Sequence, residues 1–340
     1  MRKTKVVVTD YIEPDLEWEM EQCQKLGAEF EAYQLKTAYP EEIIKVGENA
    51  DILVVNMAKI DRQVIDGLKH CKLIIRHGIG YDTVDLEEAS KKGINVVNIP
   101  DYCVHEVAEQ AMTLMMACQR KLFLQHQLLK LSSHTEEWEY LPILPIYRIA
   151  GKTIGIIGVG RIGSTVYRML QGFDVKFLVD DPYISEKRKL DLGIETSSFE
   201  RVLCEADIIT IHVPLKFGET YHMFDAPQFE MMKPSAIFIN TSRGAVVNLE
   251  ALDFALRKDK IAMAGIDVYE QEPPSEDFPL LNNPKAICTP HLSWLSEESQ
   301  ISIRHKIIED IRRFLAGEPQ LHSVNMFDTN INENSWKVLK

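Results

Sequence analysis

The stretch Gly151–Phe173, "GKTIGIIGVGRIGSTVYRMLQGF", decides how the rest of the chain is read. "TIGII" is a short apolar run with strand character, and "STVYRMLQGF" continues as a helix. Between them "GVGRIG" places Gly158, Gly160 and Gly163 in the pattern G-x-G-x-x-G. In a strand–turn–helix context the first glycine makes a tight turn and the second lets the backbone approach a pyrophosphate. The third allows helix and strand to pack closely, and the phosphates then meet the helix N-terminus. The next apolar run, "DVKFLVDDPY", ends in Asp180 and Asp181, near the spacing of about twenty residues at which an acid meets the ribose hydroxyls. Two carboxylates there would repel a 2′-phosphate, so the pattern predicts NAD(H) rather than NADP(H). The alternative is that both acids only cap the loop before Pro182.

The glycine loop sits inside a longer rhythm. Before it, "KVVVTD", "DILVVN", "LIIRHG" and "INVVNIP" alternate with the amphipathic stretches "DLEWEMEQCQKLG", "RQVIDGLKHC" and "DLEEASKKG". After it, "DVKFLVDD", "ADIITIHVP", "SAIFINTS", "AMAGIDVY" and "KAICTPH" follow, with helical stretches such as "NLEALDFALRKD" between them. Alternation of this kind predicts an α/β protein with two doubly wound parallel-sheet domains. Between the two series, a helix is expected over Cys103–Leu131, ending in the arm "HTEEWEYLPILPIYR", where Pro142 and Pro145 stop helical continuation. The last helical segment carries Ile301, Ile303, Ile307, Ile308, Ile311, Phe314 and Leu315 as one apolar stripe ending at Gly317. Its economical use is to cross back onto the first domain. The expected division is residues 1–100 plus 295–340 for one domain and 101–294 for the other.

Composition narrows the function classes. The 340 residues have a formal net charge of −13, which disfavours phosphate backbones and anionic lipids as partners. No apolar run approaches the roughly 20 residues of a membrane span, and the first thirty residues lack a leader-like apolar core, so a cytoplasmic protein is expected. The six cysteines form no C-x-x-C pair, which predicts reduced thiols and no metal site.

Three strand-like runs end in polar groups: "AIFINTSRG" in Arg243, "MAGIDVYEQEPP" in Asp267 and Glu272, and "AICTPHLSW" in His291, with Trp294 nearby. Ligands of doubly wound sheets bind beyond the carboxyl ends of the strands, so these groups are expected to converge. An arginine fork binds a carboxylate in two charge-assisted hydrogen bonds, and a histidine beside a carboxylate donates a proton near neutral pH. Together they suit reduction of an anionic 2-oxo acid. Read singly, each has an ordinary alternative: an ion-pair partner, an exposed loop acid, a satisfied histidine. Lys59, in "VVNMAKID", is either a contact for a second anionic group of the substrate or a solvated surface lysine.

The motifs "GVGRIG" with "VDDPY", "NTSRGAVVN", "GIDVYEQEPP" and "TPHLSW", in this order, closely resemble the D-isomer-specific 2-hydroxyacid dehydrogenase family over nearly the whole chain. The resemblance implies a Rossmann NAD-binding domain and a flavodoxin-like substrate domain whose cleft closes over a small 2-oxo or 2-hydroxy acid. It implies His291 as the acid/base, Glu272 as its partner and Arg243 as the substrate-binding arginine. "RHGIGYDTVD" is similar to the family's substrate-carboxylate loop, here Ile79 and Gly80; Trp294 is either a contact for a bulky or aromatic substrate side chain or a filler of the domain hinge. The implied cofactor contacts are Gly158, Gly160, Arg161, Ile162, Gly163, Asp181, His212, Pro214, Thr220, Thr241, Ser242 and Asp267, with Asp267 facing the nicotinamide amide. A homodimer paired through the nucleotide domain is also implied. Within the family, "PDYCVHEVAEQAM" and "PHLSWLSEES" look most like the branch that includes the C-terminal-binding-protein corepressors. That leaves a second use open, an NAD(H)-dependent binding protein with little turnover.

Overall fold

The computed structural model describes residues 2–138 and 143–325. Residues 139–142 of the arm, including Pro142, and the terminal stretch from Met326 lie outside the described residues. The chain divides into two compact units, one formed by residues up to Tyr102 and from Glu297 onward, the other by Cys103–Ser296.

In the first unit, strands β1 (Lys5–Val8), β2 (Glu29–Ala32), β3 (Ile52–Val55), β4 (Leu73–Arg76) and β5 (Asn95–Val97) alternate with helices α1 (Glu17–Lys25), α2 (Pro40–Gly47), α3 (Arg62–Gly67) and α4 (Leu86–Lys91). The strands form one parallel sheet in the order β2-β1-β3-β4-β5, which is the flavodoxin-like arrangement. Apart from the edge strand β2, its strands are buried on both faces. Val7, Leu53, Val55, Ile74 and Val96 point to one apolar cluster, while Val6, Val8, Ile52, Val54, Leu73 and Ile75 point to another. That is the period of two expected of strands covered by helices on each side. Both β2 and α2 escape the sequence reading. β2 reads "EFEA", its glutamates marking an edge strand that leaves one side to water.

The second unit begins with α5 (Val104–Gln119) and α6 (Leu122–Thr135). It continues through β6 (Thr153–Ile157), α7 (Arg161–Leu170), β7 (Lys176–Asp180), α8 (Glu186–Leu192), α9 (Phe199–Glu205), β8 (Ile208–Ile211) and α10 (Ala226–Met231). It ends with β9 (Ile237–Asn240), α11 (Leu249–Arg257), β10 (Met263–Ile266) and β11 (Ala286–Cys288). Its six parallel strands run in the order β11-β10-β9-β8-β6-β7. The chain therefore reverses direction across the sheet at β6, with β7 on one side and β8 on the other. Such a switch point is where doubly wound sheets bind nucleotides. The two-domain α/β expectation holds in both units.

The expected single helix over Cys103–Leu131 is instead two. Lys121 adopts a left-handed backbone, φ 50°, and its Nζ donates to Ile143 O at 2.9 Å. α5 buries a stripe that includes Ala108, Ala111, Leu114 and Met115 against the sheet, whereas α6 buries only Ser132. No glycine or proline marks the break, and the apolar residues run on through it, so periodicity alone reads straight across.

The closing helix, α12 (Glu297–Ala316), lies in the first unit, where Ile303, Ile307 and Ile311 join the cluster of Val6, Val8 and Ile52. Ile301 does not belong to the stripe and is 58% exposed. Residues 303, 307 and 311 follow the i, i+4 line, and Ile301 sits two residues off it. Ile307→Ala is expected to lower stability by about 2–5 kcal/mol and Ile301→Ala by less than about 0.5 kcal/mol. Urea midpoints of the two variants check this, and equal losses would contradict the assignment of the buried face.

Candidate active site

The predicted groups of the second unit gather at the carboxyl ends of its strands. Beyond β6, Gly158 has φ +84°, a backbone that side chains rarely adopt. A Cβ at Gly163 would lie 2.0 Å from Gly158 O, so helix and strand approach as closely as the motif predicts. Gly160 is the N-cap of α7, faces open space and supplies no side-chain cap. Arg161 opens the helix and its carbonyl accepts from Ser164 Oγ and Thr165 Oγ1, while Ile162 packs on the core beneath. Asp181 faces this loop. Its carboxylate accepts from Val159 N–H at 2.9 Å and from Tyr183 N–H at 3.0 Å. Burial, then the charge of Asp181, pushes the neighbouring Asp180 carboxyl up from its ordinary value.

β8 leads to His212, whose N–H donates to Ile157 O at 2.8 Å, so its backbone lies against the glycine turn. His212 Nε2 and Thr210 Oγ1 are hydrogen-bonded at 3.0 Å. His212 as a whole is only partly buried, but desolvation of the ring pushes its pKa down to about 3, and it is neutral. The following loop is closed by Thr220, whose hydroxyl donates to Pro214 O and accepts from Lys216 N–H, both at 2.7 Å.

β9 ends in Asn240, a fully buried amide that shapes the turn carrying Arg243. Its Oδ1 accepts from Ser242 N–H and Oγ, and its Nδ2 donates to Arg243 O at 2.9 Å. Arg243 Nη1 donates to Ser242 O at 2.8 Å. Thr241 Oγ1 is buried and has no hydrogen-bond partner, a polar atom poised for a ligand at the strand end. An open glycine turn leading into a helix N-terminus and this hydroxyl fit a dinucleotide.

His291 and Glu272 meet. His291 Nδ1–H donates to Glu272 Oε2 at 2.7 Å, and Glu272 Oε1 accepts from Tyr269 N–H at 3.0 Å. Burial alone would raise the Glu272 carboxyl. The hydrogen bond and charge of His291, the Tyr269 N–H and the Arg243 charge outweigh it and hold the carboxyl below its ordinary value. Arg243, Glu272 and His291 thus share one electrostatic environment, and both members of the pair remain partly open to solvent.

Sequence reasoning placed Asp267 against a nicotinamide amide. Its carboxylate is fully buried and turned onto the histidine loop. Oδ1 accepts from Thr289 Oγ1 at 2.5 Å and Leu292 N–H at 3.2 Å, and Oδ2 accepts from Ser293 N–H at 2.9 Å and from Ser293 Oγ. Those four donors use the roughly four acceptor positions of a carboxylate. The backbone of His291 is left-handed, φ 54°, with its N–H donating to Asp267 O at 2.8 Å. A non-glycine residue there costs about 1–3 kcal/mol, and the Asp267 clamp holds it. Ser293, Thr289 and Asn240 were missed because a strand-end reading selects charged and imidazole groups and passes over the residues that orient them. Trp294 is half-buried in the turn after the clamp.

Ile79 and Gly80 belong to the first unit, so the predicted residues do not all lie in one unit. Their loop is tied to the end of β5, with Asn98 Nδ2 donating to Ile79 O at 2.6 Å and Ile99 N–H to Gly78 O at 3.0 Å. Lys59 is exposed. Among the described residues no helix is long and apolar enough to cross a membrane, and no three His, Cys, Asp or Glu side chains group as a metal site.

Asp267→Asn replaces an acceptor oxygen by an NH2 that faces donors, so a loss of about 1–3 kcal/mol is expected, with faster amide exchange over residues 289–293. Unchanged unfolding and exchange would contradict the clamp. Because folding lowers the Glu272 pKa, its contribution is complete above its unfolded value of about 4.3 and fades as pH falls through the lower folded value. The stability difference between wild type and Glu272→Gln should therefore shrink below about pH 4.3. A difference that grows in acid would contradict the assignment.

Residues 112–293 match the family described as D-isomer specific 2-hydroxyacid dehydrogenase, NAD binding domain. The chain is 36% identical over 284 residues to a glyoxylate reductase of Korarchaeum cryptofilum, covering 83% of this chain and 85% of the relative. It is 36% identical over 316 residues to a D-3-phosphoglycerate dehydrogenase of Archaeoglobus fulgidus, covering 92% of this chain but only 58% of that relative's length. Among solved structures, D-lactate dehydrogenase from Aquifex aeolicus, complexed with NAD and lactic acid, is similar with a TM-score of 0.84 at 25% identity, covering 95% of this chain and 99% of the other. With the glycine turn, the strand-end groups and these likenesses in agreement, the chain belongs to the D-isomer specific 2-hydroxyacid dehydrogenase family.

Proposed function

We propose that the protein is an NAD-dependent D-2-hydroxyacid dehydrogenase that interconverts a small 2-oxo acid and the corresponding D-2-hydroxy acid. The 2.7 Å bond between His291 and Glu272, within the field of Arg243, carries the reading. Arg243 binds the anionic substrate and polarises its carbonyl. His291, its Nδ1 engaged by Glu272, gives the proton to the carbonyl oxygen from Nε2 and takes it back in the reverse direction. A bound nicotinamide supplies or accepts the hydride. Ile79 and Gly80 receive the substrate carboxylate through their backbone amides, and Trp294 contacts the substrate.

The cofactor reading draws on Gly158, Gly160, Arg161, Ile162 and Gly163 for the pyrophosphate, Asp181 for the ribose, and His212, Pro214 and Thr220 along the adenine side. Thr241 and Ser242 complete the strand-end contacts. Asp267, at the end of β10, is assigned to the nicotinamide amide, beside the histidine loop that it holds. The acidic pair Asp180 and Asp181 favours NAD(H) over its 2′-phosphorylated form. A homodimer is part of the proposal, supported by α6, where Leu122, Phe123, Leu129 and Leu131 are all at least 50% exposed.

A second reading, a corepressor-like NAD(H)-dependent binding protein, draws on the sequence around His291 and Trp294. The formed Arg243, Glu272 and His291 set favours turnover. Glyoxylate, pyruvate and a phosphorylated 2-oxo acid, each assayed with NADH and NADPH, separate the two: turnover of any of them supports the dehydrogenase, and tight NADH binding with none supports the second reading. His291→Gln is expected to lower kcat by about 10²–10⁴ while NADH still binds. Arg243→Ala is expected to raise the KM for the 2-oxo acid by roughly 10–100-fold. Full activity in either variant would defeat its assigned role.

A further inference from the structure

We infer that Arg188 is a positioning residue for the pyrophosphate of the dinucleotide: it sets the peptide planes of the glycine turn so that the turn's N–H groups face the ligand. The inference rests on the cofactor reading above and goes beyond it, since Arg188 lies outside the G-x-G-x-x-G motif, on α8. Its Nε donates to Val159 O at 3.1 Å, and its Nη2 donates to Gly160 O and to Ser164 Oγ, both at 3.0 Å.

A trans peptide unit is planar and carries its C=O and N–H on opposite sides. Neither of the cis peptide bonds among the described residues falls in this turn. Holding Val159 O and Gly160 O therefore also directs the N–H groups of Gly160 and Arg161 away from the guanidinium. These amides open α7, and donors in that position are the ones that a phosphate meets at a helix N-terminus. Gly160 O also accepts from Ser164 N–H at 3.1 Å within the helix, so the guanidinium is a second donor there. Its main effect falls on the Val159 carbonyl, ahead of a glycine, the residue that restrains its own backbone least.

The opposite edge of the same dipeptide is also held. Val159 N–H donates to Asp181 at 2.9 Å. The β7–α8 connection thus supplies a carboxylate to one side of Val159 and a guanidinium to the other. The guanidinium covers two carbonyl oxygens whose partial negative charge would oppose a pyrophosphate, and it keeps its own charge at physiological pH. Lysine could not do the same, because an ammonium is a point charge without a planar fork.

Fluorescence titration of the full chain with NADH and NADPH tests the inference, comparing wild type, Arg188→Met and Arg188→Lys, with thermal unfolding of each unliganded protein. Arg188→Met should weaken NADH binding about tenfold and NADPH binding by the same factor, leaving their ratio unchanged, and Arg188→Lys should recover only part of the loss. Should the methionine variant fail to fold, the lysine variant carries the test, with a smaller parallel loss for both nucleotides. Wild-type affinity in a folded variant, or a loss confined to NADPH, would overturn the inference while leaving the cofactor reading in place. Absence of binding to either nucleotide in wild type would overturn both.

Discussion

The buried carboxylate of Asp267 is the constraint around which the second unit's site is arranged. A charge without solvent has to be satisfied by the protein, and the four donors that satisfy it all come from residues 289–293. The loop therefore cannot leave Asp267 without exposing an unpaired buried charge. That fixes the left-handed backbone of His291, and with it the direction in which the imidazole leaves the chain. Glu272, five residues beyond Asp267, reaches the same imidazole and sets its hydrogen bonding.

A similar division of labour operates at the glycine turn. Beyond the helical bond from Ser164 N–H to Gly160 O, the turn is held by groups outside the motif: Asp181 at an amide, Arg188 at two carbonyls and the backbone of His212 beneath. Both centres lie at the carboxyl ends of parallel strands whose bodies are apolar and buried. In such a sheet the strand ends are the places where polar groups can be presented without an unsatisfied interior, and the switch point at β6 opens a crevice there.

Much of this was legible in the sequence. Alternating β-branched runs and amphipathic stretches have different periods, so the doubly wound class and the six strands of the second unit could be read directly. The elements that were missed or misread carry weak or contrary signals: the charged edge strand β2, the helix break at Lys121 with no glycine or proline, and Ile301, apolar yet off the buried line. At the site, Arg243, Glu272 and His291 stood out because their chemistry is distinctive. Asp267 stood out for the same reason, but its partners did not. Which donors saturate a carboxylate depends on how two strand ends cross in space, and Ser293, Thr289 and Asn240 carry no local mark of that role. Arg188 was equally silent, since a basic residue on a short helix reads as solvated surface until its hydrogen bonds are seen.

The central claim is that the His291, Glu272 and Arg243 group reduces a 2-oxo acid with hydride from a dinucleotide. Its most direct test is a single-turnover reaction of the protein with NADH dideuterated at C4 and a 2-oxo acid, followed by mass and chiral analysis of the product. The account predicts one deuterium at C2 of a hydroxy acid of D configuration. NADH that binds tightly but passes no deuterium to any 2-oxo acid offered would contradict it.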